Sequence, residues 1–164
     1  MHRNQIRRLT LTAMFIALGY LLPFLTGQIP QFGAMLSPMH IPALLCGFVC
    51  GWQYGLVAGA IMPLLRSATL GMPPMFPTAV AMAFELAAYG CAAGLLYRAL
   101  PKKIDFVYVA LVLSMLIGRA VWGLASAVLM MGTENAFTTQ AFLAGAFINA
   151  WPGIILHILV IPPV

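Results

Sequence analysis

Two charged residues in apolar surroundings could do chemistry here: Arg66 closes one apolar run and Glu85 lies well inside the next. Charge in a hydrocarbon-like setting is expensive, so each needs a partner or a task. They share the stretch MPLLRSATLGMPPMFPTAVAMAFELAAY at residues 62–89. Between them lies Gly71-Met-Pro-Pro-Met-Phe-Pro77, whose three prolines stiffen the backbone and remove amide donors. This loop and its flanking helices read as one wall of a small-molecule site.

Other polar and aromatic residues are candidates for the same site. Arg119 can neutralise Glu85, either as a purely structural ion pair or as a pair that also contacts ligand. If it does, Arg66 leaves the cavity with net positive character, which favours an anionic or strongly dipolar ligand. The alternative for Arg66 is snorkelling to lipid phosphates near the surface. Asn149, Trp122 and Trp151 can bond or stack on a flat ligand, and each Trp can equally pack against lipid or core. His40 can bond a loop or the ligand, and His157 reads as interfacial.

Catalysis finds little support. There is no His-Glu-x-x-His, no carboxylate pair on one helix, no Gly-x-Ser-x-Gly and no phosphate-cradling Gly loop with Lys. Cys46, Cys50 and Cys91 all lie in apolar segments without His or acidic neighbours, so they read as small buried hydrophobes, not metal ligands. No metal is expected.

The elements holding these residues follow from composition. The chain has 164 residues, 63% hydrophobic and 7% charged, with a mean hydropathy of +1.00. A soluble domain carries roughly 25% charged residues. The reading is an all-α integral membrane protein, one compact domain over residues 1–164. Its net charge of +5 is a topology signal and not a nucleic-acid signal, because Arg3, Arg7 and Arg8 form one cluster and Arg98, Lys102 and Lys103 another.

Crossing a bilayer takes about 17–25 apolar residues. Residues 9–25, 35–51, 54–70, 76–100, 104–131 and 139–164 read as six transmembrane helices. The first is longer than a signal-peptide core and lacks a small-residue cleavage pattern, so it reads as retained. Four crossings return the second basic cluster to the side of the first, and three would not. Both termini are therefore expected in the cytoplasm. That topology puts residues 26–33, 71–77 and 132–140 on the outer face.

At a rise of about 1.5 Å per residue, Glu85, Arg119 and Asn149 lie about 13, 18 and 15 Å below the outer ends of their helices. Three polar residues on three successive helices thus fall at similar depth. Gly47, Gly51, Gly55 and Gly59 recur every four residues, as do Ala13 and Ala17, a spacing that lets helices approach closely.

With these features together, the chain resembles the substrate-binding (S) components of energy-coupling factor vitamin transporters, small six-helix membrane subunits of bacteria. The carriers are the basic N-terminus leading into Ala13-Met-Phe-Ile-Ala17, the run Leu36-Ser-Pro-Met-His-Ile-Pro-Ala-Leu-Leu-Cys-Gly47, and Gly71-Met-Pro-Pro-Met-Phe-Pro-Thr-Ala-Val-Ala-Met-Ala-Phe-Glu-Leu86. The resemblance covers nearly the whole chain. It implies capture of a water-soluble vitamin or precursor near the outer face of the cell membrane, between helices 4 to 6 and the outer loops. It also implies that Ala13 and Ala17 meet a transmembrane coupling subunit driven by two cytoplasmic ATPases. ATP is then used by the partners, and no cofactor is expected on this chain.

Pantothenate is the first expectation for the ligand, since a small carboxylate suits Arg66. Cobalamin, a pyridoxine-like compound, a pyrimidine and a queuosine precursor stay open. The chain stops at Ile161-Pro-Pro-Val164 without the polar, basic tail expected after helix 6, so missing terminal residues are expected. A stand-alone carrier or channel and an intramembrane enzyme are the competing readings.

Overall fold

The computed structural model describes residues 2–25, 38–71, 78–130 and 151–162. Among them are six helices: α1 His2–Leu25, α2 His40–Cys50, α3 Trp52–Leu70, α4 Val80–Ala99, α5 Ile104–Met130 and α6 Trp151–Val160. No strand occurs among the described residues. The helices follow the apolar runs because a backbone surrounded by apolar side chains must satisfy its own donors and acceptors.

The breaks have local causes. Gly51 separates α2 from α3 at φ 109°, ψ 167°, a conformation that L side chains rarely adopt. Gly71 closes α3 in the left-handed region at φ 69°, donating its N–H to the Ser67 carbonyl. Leu100 is extended at φ −91°, ψ 153°, as a residue before proline prefers, and Pro101 ends α4. Only residues 100–103 join α4 to α5, and Asp105 sits in the first turn of α5, where an anion suits the helix dipole.

α4 is central, packed on α2, α3 and α5, while α1 flanks α2 and α3. Glycine makes the α2–α3–α4 contact possible. A Cβ on Gly47 would strike the Gly90 carbonyl, one on Gly59 the backbone at Leu86, and one on Gly94 the backbone of Trp52. Gly55 and Gly90 abut each other. Gly51, expected in this packing from its four-residue spacing, has nothing within 4 Å of a Cβ and serves the turn instead. Spacing alone counted it because the helix break falls in register with the repeat.

Two apolar clusters fill the interior. Ala43, Cys46, Cys50, Ala58, Met62 and Leu86 meet Phe15 and Ile16 of α1. Leu44, Tyr89, Ala93, Leu111 and Met115 meet Ile154 and Ile158 of α6. The cysteines are free, with Cys46 and Cys50 buried as expected of small hydrophobes.

The outward faces are also apolar, with Leu113, Leu116, Leu124 and Val128 of α5 exposed. A water-soluble bundle rarely shows so contiguous an apolar exterior, and lipid is its natural cover. Helices His2–Leu25, Val80–Ala99 and Ile104–Leu129 are long and apolar enough to cross a bilayer, whereas α2 and α6 are shorter apolar helices as described.

Candidate functional site

Glu85 projects from the second turn of α4 into the bundle and is 1% exposed. Its Oε1 lies 3.0 Å from Arg119 Nη1 of α5 and 3.3 Å from His40 Nε2 of α2. One carboxylate oxygen therefore gathers three helices. The depth argument placed Glu85 and Arg119 at one level, and the structure makes them an ion pair. Neither approach to Oε1 has the alignment of a good hydrogen bond, and the Arg119 contact is chiefly charge with charge.

Aromatic rings wall this centre. Tyr89, one turn along α4 from Glu85, stands edge-on to His40 at 5.0 Å between ring centroids. Gly118 of α5 gives Tyr89 its seat, since a Cβ there would strike the ring. His157 of α6 stacks on His40 at 5.9 Å between ring centroids, with 26° between ring planes. His157 is 1% exposed, which corrects the interfacial expectation. That expectation rested on sequence distance along helix 6, and packing sets the level of α6 independently.

Arg66 is also placed differently from expectation. It is 6% exposed, and its Nη1 donates to the Tyr20 carbonyl of α1 at 3.1 Å. Its guanidinium carbon lies 5.1 Å from the centre of the Phe24 ring, a cation–π arrangement. Beside it, the Tyr20 and Thr69 hydroxyls share a hydrogen bond of 3.0 Å. Arg66 thus ties α3 to the last turns of α1. The reason is geometric: α1 passes close to the last turns of α3 and offers an acceptor and an aromatic face there.

The remaining candidates are spread out. Trp122 is partly buried one turn beyond Arg119 on α5. Trp151 begins α6 and is 58% exposed, so it is not part of the Glu85 cluster. Asn149 and the loop at 72–77 lie outside the described residues. Ala13 and Ala17 are both exposed on α1, on a face continued by Met14, Leu18 and Leu21.

A small cleft of about 70 Å³ opens between α5 and α6, lined by Val112, Met115, Leu116, Arg119 and Ile154. Arg119 reaches it only with apolar stem atoms, and the surface lining the cleft is wholly apolar. The guanidinium Nε is buried and has no hydrogen-bond partner among the described residues. Arg119 therefore faces Glu85 on one edge and keeps a donor unspent. Among the described residues, no three His, Cys, Asp or Glu side chains are grouped to hold a metal.

Sequence reasoning missed Tyr89 and His157 as members of this centre. Tyr89 had a usable signal, because a residue four positions from Glu85 on a helix shares its face. Nothing local marks His157.

Apolar-faced helices around a buried acid–base pair define a membrane protein with an internal polar site. The family model described as "ECF transporter, substrate-specific component" matches residues 7–164, and the chain belongs to that family. It is thus a membrane substrate-binding subunit of an ECF importer, a transporter component and not a member of an enzyme family. No curated protein and no solved structure matches the chain.

Proposed function

We propose that this subunit captures a small water-soluble vitamin carrying a carboxylate, pantothenate first, and that Arg119 receives the carboxylate. The observation carrying this reading is the divided commitment of Arg119, which balances Glu85 while its buried Nε has no hydrogen-bond partner among the described residues. Arg119 joins Arg66, which spends one donor on the Tyr20 carbonyl, as a cation able to attract an anionic ligand. Guanidinium suits the task because its planar fork can serve two carboxylates at once.

In this reading the chain crosses the bacterial cytoplasmic membrane six times with both termini inside. The outer segments expected at 26–33, 72–77 and 132–140 lie outside the described residues. Ala13 and Ala17 meet the transmembrane coupling subunit, and two cytoplasmic ATPases drive uptake. Their exposure on α1 is consistent with that role.

Mass spectrometry of small molecules retained by the detergent-purified protein, followed by calorimetric titration of pantothenate, tests the proposal. A retained carboxylate whose affinity falls about 10- to 150-fold in Arg119→Gln matches the loss of a charge-assisted hydrogen bond. A retained ligand without an anionic group, bound equally by Arg119→Gln, refutes it. Uptake into liposomes by the lone chain would replace the importer reading with that of a self-sufficient carrier.

A further inference from the structure

We infer that His40 is a proton-binding partner of Glu85, and that an anionic ligand drawn to Arg119 enters together with one proton. The second half rests on the ligand reading above, and the first half does not. Glu85 Oε1 touches two candidate cations: Arg119, permanently charged, at 3.0 Å, and His40, charged only when protonated, at 3.3 Å. With His40 neutral, the buried centre sums to zero. A ligand carboxylate on Arg119 would leave one negative charge uncompensated where solvent cannot screen it, a strongly unfavourable arrangement. Protonation of His40 restores neutrality without moving a helix.

The surroundings leave His40 as the group able to do this. From α4 it faces Glu85 and the edge-on Tyr89, and from α6 the stacked His157. Arg119 of α5 reaches it through the shared carboxylate oxygen. The other helices packed on α2 are α1 and α3, which bring Tyr20, Tyr54 and Arg66, and Arg66 is committed to the Tyr20 carbonyl and Phe24. On α2 itself, Cys46 is directed to Thr12 of α1. His40 is buried and neither ring nitrogen makes a hydrogen bond among the described residues. One nitrogen can therefore keep its hydrogen towards Glu85 while the lone pair of the other takes a proton from solvent. His157 contributes a limit, since two stacked imidazoles 5.9 Å apart resist being charged together. No bond of the ligand is made or broken.

A ligand-free arm decides the first half. In ¹⁵N-histidine-labelled protein at neutral pH, Arg119→Gln should convert His40 to imidazolium, the signal being assigned by its loss in His40→Gln. A neutral His40 together with an infrared carboxylic-acid band that disappears in Glu85→Gln would overturn the inference, because the carboxyl would then have taken the proton. If Arg119→Gln folds only on acidification, that recovery should be absent when His40→Gln is added, and its persistence overturns the inference equally. The ligand arm titrates wild type with pantothenate in two buffers of different ionisation enthalpy. Uptake of one proton should appear as about a tenfold gain in affinity per pH unit lowered, and should vanish in His40→Gln. Binding without proton uptake refutes the second half, and absence of pantothenate binding refutes the ligand reading while the first arm still decides His40.

Discussion

Replacing Arg119 by Met takes the permanent cation away from a carboxylate that is 1% exposed. At 3.0 Å and an effective dielectric of about 20, the pair's Coulomb attraction is about 5.5 kcal/mol. Desolvation of both charges offsets much of that, yet removing one partner alone strands the other and costs roughly 3–5 kcal/mol. The two single changes are not equivalent. Glu85→Gln leaves the permanent cation of Arg119 buried and unpaired, whereas Arg119→Met leaves Glu85 beside Tyr89 and beside His40, which can take a proton. Glu85→Gln should therefore be the more destabilising. The double variant should cost no more than Glu85→Gln alone, because it leaves no unpaired charge. Thermal unfolding of the ligand-free protein in one detergent, over all four members of the cycle, measures this. Additive losses, about 6–10 kcal/mol for the double variant if the singles cost what isolated partners usually do, would show that the two residues are energetically independent.

Three further outcomes follow from contacts elsewhere in the bundle. Arg66→Ala should lower ligand-free stability by about 2–4 kcal/mol, from a lost charge-assisted hydrogen bond and a lost cation–π contact, and an unchanged melting temperature would return Arg66 to a surface role. Gly90→Ala should destabilise by about 1–3 kcal/mol or more, because its Cβ meets backbone of Gly55 that cannot yield. Gly19→Ala should be close to neutral, since its Cβ meets only the flexible Met62 side chain and alanine favours a helix by about 1 kcal/mol. Equal melting temperatures for the two glycine variants would argue against the close α3–α4 approach. Ala17→Trp, on the exposed face of α1, should leave ligand binding by the isolated subunit intact and abolish uptake through the assembled importer, and normal uptake would move the interface elsewhere.

The sequence by itself determined the helices and the pairing of opposite charges. Apolar runs interrupted by Gly51, Gly71 and Pro101 leave helix as the backbone's only self-satisfied state, so the element order was legible without coordinates. Glu85 and Arg119 were legible too, because an isolated charge in such a segment needs an opposite charge at its own depth, and depth can be counted along a helix. What only tertiary structure decided is which side each remaining residue faces. α6 sits at a level that no count along the chain sets, so His157 arrives beside His40 and not at an interface. Arg66 meets the Tyr20 carbonyl and Phe24 because α1 leans on α3, a contact 46 positions apart in sequence for the hydrogen bond. Rotation and offset of apolar helices depend on how knobs such as Tyr89 meet hollows such as Gly118, and hydropathy carries no record of that match.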